Sequence, residues 1–177
     1  MILRLLKLMY ELQPVKTTIL KSCKKIPLID SSLQKGSQVP LPRALAKILE
    51  NNGLAEITEG IISQQDLARI RFSHMQQKGS LLKIDDFFYM KAKESIKMFM
   101  VKAKTEGDIV TLRTTEKMRE DFTDIASVRL SGILRALQLG GIDIIEKNCT
   151  IEEKILINII QNNYNQWIKE FVELNDR

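Results

Sequence analysis

The chain has 177 residues, a net charge of +5 and 44% hydrophobic residues, enough for one domain or two small ones. One histidine and two cysteines, Cys23 and Cys149, are too few and too far apart for a metal-binding framework. With no signal peptide, the thiols are expected to be reduced in an intracellular protein. Residues 1–60 carry nine Lys/Arg against five Asp/Glu, so four of the five excess positive charges lie at the front. Such a patch suits nucleic acid or an acidic protein surface, or serves solubility alone.

Met1 to Leu12 is apolar but interrupted by Arg4 and Lys7, too short and too charged to span a bilayer. It reads either as a short amphipathic helix or as a frayed extension that orders against a partner, and Pro14 ends it in both cases. Val15 to Leu20 is β-branched and roughly alternating, which predicts a strand. Lys24-Lys25-Ile26-Pro27-Leu28-Ile29 predicts a second strand, at an edge because proline cannot donate to the ladder. Asp30-Ser31-Ser32 and Lys35-Gly36-Ser37 are turns, and Val39-Pro40-Leu41 is extended. A helix follows with Pro42 in its first turn and Leu45, Ile48 and Leu49 as its apolar stripe. Gly53 suits the left-handed stop, and Leu54 to Ile57 is a closing strand. A unit of about 60 residues buries only roughly 60% of its unfolded surface, so this module is expected to lean on the rest of the chain or on a partner.

From residue 61 onward the pattern is helical. Ser63 caps a helix through Gln77 with Leu67 and Ile70 inward, and Lys78-Gly79-Ser80 breaks it. Asp85 or Asp86 opens a helix to about Lys104 that carries two apolar stripes. Phe88, Ala92, Ile96, Phe99 and Ala103 form one; Phe87, Met90, Met98 and Val101 form the other. One stripe suffices for a surface helix, so the second is either a central face of a monomeric bundle or a subunit interface. After a turn at Glu106-Gly107-Asp108, a long helix covers roughly Thr114 to Leu139. Met118, Phe122, Ile125, Leu130, Ile133, Leu134 and Leu137 form its stripe, and Gly132 permits close packing or a slight bend. Gly140-Gly141 stops it. Thr150 and Glu153 make a capping box for a last helix, about Ile151 to Leu174, with Ile157, Ile160, Tyr164, Trp167, Ile168 and Phe171 expected on the buried side. The fold class is therefore α+β: a small β-rich domain over 1–60 and an α-helical domain over 61–177.

Catalytic signatures are missing. His74 on a polar helix reads as a surface residue, and no Gly-x-Ser-x-Gly elbow accompanies it. No phosphate-binding glycine motif is present. The acidic pairs Asp85-Asp86 and Glu152-Glu153 stand at helix starts, where negative charge suits the dipole. No catalytic residue, cofactor or metal site is expected.

The segment CKKIPLIDSSLQKGSQVPLPRALAKILENNGLAEI, from Cys23 to Ile57, resembles the small β-rich domain of the GINS complex, an accessory factor of the replicative helicase in archaea and eukaryotes. The motif is carried by Lys35, Gly36, Val39, Leu41, Pro42, Leu45 and Ala46. The order of parts, small domain first and helical domain second, is similar to one of the two GINS subunit types. Arg43-Ala44 stand where that family often has Leu-Trp, so packing beneath this helix must differ. The first twelve residues have no clear family counterpart.

The resemblance implies a non-catalytic archaeal DNA-replication scaffold, cytoplasmic and nucleoid-associated. Its partners would be the helix-first subunit in a two-plus-two heterotetramer, the MCM helicase and a RecJ-like protein, with primase as a further candidate. Phe87, Met90, Met98 and Val101 are the candidate subunit interface. Lys16, Lys21, Lys24, Lys25, Lys35 and Arg43 are the candidate basic surface, and DNA contact is left open. The alternative is a nucleic-acid-binding regulator acting through the basic front module. A third reading, an enzyme built around His74 or Cys23, ranks well below both.

Overall fold

The computed structural model describes residues 2–22, 32–77 and 81–173. The expected strand at 24–29, the turn residues 30–31, the break at 78–80, and Cys23, Lys24 and Lys25 among the candidate residues lie outside them. The fold is α+β: a three-stranded antiparallel sheet and, among the described residues, seven α-helices. The chain divides into two compact units, Met1–Ile61 and Ile62–Arg177.

The first unit opens with helix α1 (Ile2–Leu12), followed by strand β1 (Pro14–Ile19). Strand β2 (Gln38–Pro42), helix α2 (Arg43–Asn51) and strand β3 (Ala55–Ile57) complete it. The strand order is β2-β1-β3. The prolines sort by position, since a residue without an N–H breaks an interior ladder. Central β1 holds one proline, at its first residue, whereas edge strand β2 tolerates Pro40 and Pro42. Leu41 pairs with Val15 and Val39 with Thr17, and Val15, Thr17, Ile19 and Leu41 all turn into the core. Lys35 and Gly36 make the turn into β2. Gly36 has φ +83°, a left-handed conformation that suits glycine, and its N–H donates to the Ile19 carbonyl at 2.8 Å. Ala46 and Leu49 of α2 close the core with Leu33, Ala55 and Ile57, and Leu45 packs beside them. Ile48, expected in that stripe, is 58% exposed; the sheet covers only the Ala46–Leu49 side of a short helix.

Between the two readings of the first twelve residues, the structure shows the helix. Leu6 and Tyr10 are its buried residues, and the Tyr10 ring lies 4.5 Å beneath the Arg43 guanidinium and 5.6 Å from Lys47 Nζ. Lys47 also pairs with Glu11 at 3.1 Å. The aromatic that supports α2 thus comes from α1. Arg43, expected on a basic surface, is instead 4% exposed, because its cation sits on the Tyr10 face and its Nη2 fills the space a side chain at Gly60 would occupy.

In the second unit, α3 (Gln64–Gln76) starts at a capping box in which Ser63 and Asp66 satisfy each other's backbone amides. Helices α4 (Phe88–Glu106), α5 (Ile109–Gln138), α6 (Ile142–Ile145) and α7 (Ile151–Phe171) follow, with a 3-10 turn at Glu146–Asn148. Helix α5 starts at Ile109 rather than near Thr114, because Asp108 accepts from the Val110 amide and caps it. At 30 residues it runs about 45 Å. Leu67, Phe88, Ala92, Ile96, Met118 and Ile125 make one core cluster, and Leu81, Ile133, Ile142, Cys149 and Ile157 a second. Gly132 serves close packing: a Cβ there would stand 2.8 Å from the Leu81 side chain.

Three expectations about apolar stripes are corrected. Of the candidate interface stripe, Phe87 is 4% exposed and turned into the core, Met90 is half-buried, and Met98 and Val101 are 42% and 57% exposed. Leu130 and Leu134 are 40% exposed, since the inner face of α5 is shared by polar residues, described below. On α7 only Glu153 and Ile157 are buried, and Tyr164, Trp167 and Phe171 face solvent.

Tyr10→Ala is expected to destabilise the first unit by about 3 kcal/mol, in the range for removing a buried aromatic. Native-state hydrogen exchange should show α1 losing protection while α3–α5 keep theirs. Unchanged exchange in α1 would refute its docking through Tyr10.

Candidate functional site

The densest polar chemistry in the second unit is buried. Arg129 on α5 and Glu153 on α7 are 0% and 3% exposed, and Arg129 Nε and Nη2 donate to Glu153 Oε1 and Oε2 at 2.6 and 2.7 Å. Arg129 Nη1 donates to the Leu82 carbonyl at 2.6 Å and to His74 Nε2 at 2.8 Å, and Nη2 donates to the Asn148 carbonyl at 3.0 Å. A guanidinium has five N–H donors, and all five are engaged. Glu153 is equally full: Oε1 also accepts from the Tyr89 hydroxyl at 2.6 Å, and Oε2 from the Thr150 amide at 2.8 Å. A carboxylate offers about four lone-pair sites, and none is left for a substrate.

His74 belongs to the same cluster. It is 5% exposed, not a surface residue, because α3 turns it toward Arg129. Its Nδ1 lies 2.9 Å from the Ile70 carbonyl, which only accepts, while Nε2 faces a guanidinium, which only donates. The hydrogen-bond pattern therefore assigns the neutral ring with the proton on Nδ1. Burial, helped by the Arg129 charge, pushes its pKa below 6.5. Burial alone would raise Glu153, but Arg129 holds it below the ordinary carboxylate value. Burial alone would likewise lower Arg129, and hydrogen bonding and attraction to Glu153 raise it instead. Burial and the neighbouring Glu153 carboxylate raise the Tyr89 hydroxyl. Cys149 is pushed up to about 11, mainly by burial, which leaves it an inert thiol at neutral pH.

The acidic pairs work as crossed caps. Glu152 accepts from the amides of Phe87 at 3.0 Å, Tyr89 at 3.2 Å and Met90 at 3.5 Å, at the start of α4. Asp86 in return accepts from the Ile151 amide at the start of α7 at 2.9 Å. Asp86 thus does not open its own helix, which begins two residues later. Phe87 between them has φ +59°, left-handed and uncommon for a bulky residue. Its amide bond to Glu152 and its buried ring hold it there.

Two shallow grooves flank this centre. One of about 240 Å³ lies between α3 and α5 and is lined by Arg71, His74, Met75, Asp124 and Val128 among others. Arg71 Nε is 2.7 Å from Asp124 and its Nη1 is 3.4 Å from buried Asp121. The other, about 230 Å³, has Tyr89, Leu130, Glu152, Glu153 and Leu156 along it, with both carboxylates already taken. Among the described residues, no group of three or more His, Cys, Asp or Glu is placed to hold a metal, and no helix is long and apolar enough to cross a membrane.

Large apolar side chains are exposed on α1 and α7. On α1, Leu3, Leu5, Leu8 and Leu12 are 54% to 65% exposed. On α7, Tyr164, Trp167 and Phe171 are 54% to 72% exposed. Of the candidate basic residues, Lys16, Lys21 and Lys35 are exposed. Lys16 lies on the sheet face opposite buried Val15 and Thr17. The motif residues Leu41 and Ala46 are core, Val39 and Leu45 pack against it, and Pro42 is exposed at the β2–α2 junction. The periodic sequence pattern missed Arg129, Asp121 and His74, because buried polar residues carry no apolar signal. The usable hint was Glu153 already assigned to a cap with a second oxygen to spare.

The buried cluster fixes a pH dependence. His74 binds its proton less readily folded than unfolded, so the unfolded state takes up protons as pH falls through 6.5, and folding stability drops there. Glu153, with its lowered pKa, contributes a second loss below 4.5. The melting temperature should therefore fall in two stages on acidification, and His74→Gln should abolish the first. A wild-type profile flat between pH 7 and 5 would contradict the buried neutral imidazole. Separately, Arg129→Met or Glu153→Leu alone should cost about 3–5 kcal/mol, and the double variant less than the worse single one, because only the singles strand a buried charge.

No protein-family model matches the sequence, and no curated protein matches it.

Proposed function

We propose that the chain is a non-catalytic subunit of a protein assembly, a scaffold of the GINS type that links the MCM helicase to a RecJ-like partner at the replication fork, with primase as a further candidate. The observation that carries the scaffold reading is the pairing of a closed polar core with open apolar helix faces. Every donor of Arg129 and every acceptor site of Glu153 is consumed internally, which leaves that cluster nothing to offer a reaction. The exposed leucines of α1 and aromatics of α7 offer contact area instead, and contiguous apolar surface is characteristic of interaction sites. The assignment to GINS rests on the Lys35 to Ala46 motif and on the small domain preceding the helical one. The helix-first subunit type is then the stoichiometric partner.

Direct nucleic-acid binding through the front module has lost Arg43 to the Tyr10 stack, and Lys16, Lys21 and Lys35 remain as exposed cations among its described candidates. Phosphate contacts by such a patch would weaken steeply with salt.

Affinity capture of the full chain at its natural abundance, followed by identification of what comes with it, tests the proposal. The expected result is a helix-first paralogue in equal amount, with helicase and a RecJ-like protein in smaller amounts. A chain recovered alone would sink the assembly reading. Tight gel-shift binding that is lost at raised salt, without protein partners, would favour the regulator.

A further inference from the structure

We infer that the C-terminal end of α3, from Phe72 to Gln76, is a proton-operated latch. Neutral His74 fastens it to the Arg129 centre, and protonation of His74 releases it while α4, α5 and α7 stay closed.

The way α3 is held divides it in two. Its buried residues are Leu67 and His74. Leu67 belongs to the core cluster of Phe88, Met118 and Ile125, and Ile70 packs against that cluster. Arg71 is then pinned to α5, 2.7 Å from Asp124 and 3.4 Å from Asp121. Beyond Arg71 the large apolar side chains turn outward, with Phe72 60% and Met75 57% exposed. His74 is the one buried residue from Phe72 to the end of the helix. The buried fastening of this end is therefore a titratable ring.

The fastening leaves no place for a second proton. Nδ1 donates to the Ile70 carbonyl at 2.9 Å, and Nε2 accepts from Arg129 Nη1 at 2.8 Å. A guanidinium has donors and no acceptor, so an imidazolium would set N–H against N–H and charge against charge. The other charged groups around the ring do not relieve this. Glu153 on α7 attracts an imidazolium, but its oxygens are taken by Arg129, by the Tyr89 hydroxyl of α4 and by the Thr150 amide. Arg71 on α3 itself is a further cation, held by Asp124 and Asp121 of α5. The Cys149 thiol near this centre is neutral. With His74 neutral the closed arrangement satisfies every group; with His74 protonated, the closed arrangement is the one with an unmet donor.

Release is local because Arg129 gives up one bond and keeps the rest. Nη1 retains the Leu82 carbonyl, Nη2 the Asn148 carbonyl, and Nε and Nη2 retain Glu153. Tyr89 stays on Glu153, so α4, α5 and α7 remain joined. His74 also lines the groove between α3 and α5, which gives the ring a way out that does not cross the core. Water entering there can accept from the vacated Nη1. Asp124 lines the same groove and draws an imidazolium outward. The Arg71 ion pairs do not involve His74, and they set the hinge. The released ring binds its proton more readily than the buried one, so the open form gains as pH falls below 6.5. For a single proton the gain is at most about tenfold per pH unit.

Hydrogen exchange of the full chain, resolved by residue and corrected for intrinsic rates, tests the latch between pH 7 and 5. The expected result is that amides from Phe72 to Gln76 lose protection by up to about tenfold per pH unit. Those of α4, α5, α7 and the first half of α3 should change far less. His74 is the only histidine, so its ring signals can be followed in the same samples, and they should titrate with a midpoint below 6.5. His74→Gln should make protection of the segment independent of pH. His74→Arg, a fixed cation, should leave the segment open even at pH 7.

Protection of Phe72 to Gln76 that does not change with pH would overturn the latch. So would a segment already unprotected at pH 7, since His74 would then not be what holds it. Parallel loss across α4, α5 and α7 would overturn it too, because the acid response would be global. A His74→Gln chain with the wild-type pH dependence would assign the response to another group. Should a variant fail to fold, the wild-type profile alone still decides, and none of these outcomes depends on which partners the chain has.

Discussion

The second unit is organised around one buried cation. Arg129 reaches α3 through His74, the segment before α4 through Leu82, the 3-10 turn through Asn148 and α7 through Glu153, which in turn holds Tyr89 of α4. Taking a guanidinium and a carboxylate out of water costs several kcal/mol per ion, recovered only when geometry and hydrogen bonding are complete. Here they are complete, so the arrangement is all or nothing. Moving any one of these elements strands a donor or an acceptor. The apolar clusters supply the bulk of the burial, but they tolerate sliding that this network does not. That is the difference between a bundle that is compact and one with a single arrangement.

The crossed caps extend the same constraint to the helix ends. Glu152 and Glu153 are neighbours on α7, yet one closes the start of α4 and the other neutralises Arg129. Asp86 completes the exchange at the start of α7. Because the two caps depend on each other, α4 and α7 are locked at their N-termini and free to diverge beyond. The left-handed Phe87 sits where that lock is tightest, a local strain of order 1–3 kcal/mol held by the Glu152 bond and a buried ring. The distal part of α7, far from the lock, is the part with no buried residue.

Much of this was legible in the sequence, and the failures have physical causes. Turn chemistry marked Gly36, Gly53, Gly107 and Gly140, and each adopts positive φ. The Thr150–Glu153 cap is present. Helical periodicity found α2, α3, α4, α5 and α7 because each keeps at least one core-facing row. It could not say how far along each helix the core extends. Tyr164, Trp167 and Phe171 obey the same spacing as Ile157 but lie beyond the bundle, so pattern alone assigned them to the interior. Nor could it see Arg129, His74 or Arg43 inside, since polar residues are buried only where specific partners meet them, and those partners lie up to 55 positions away.

Arg43 shows the same limit from the functional side. A charge count places it on a basic surface with Lys16, Lys21 and Lys35; the fold spends it on Tyr10 and on the space beside Gly60. That single displacement changes how the first unit is read. An extension that might have been a loose tail becomes the aromatic support of α2, and its cost is that Leu5, Leu8 and Leu12 are left facing outward on the other side of α1. Exposed apolar surface on α1 and on distal α7 therefore has one origin. In each case a helix uses one narrow face or one end to complete its own unit and leaves the rest uncovered. Such faces offer apolar contact area, and it is on them that the proposed scaffold role rests.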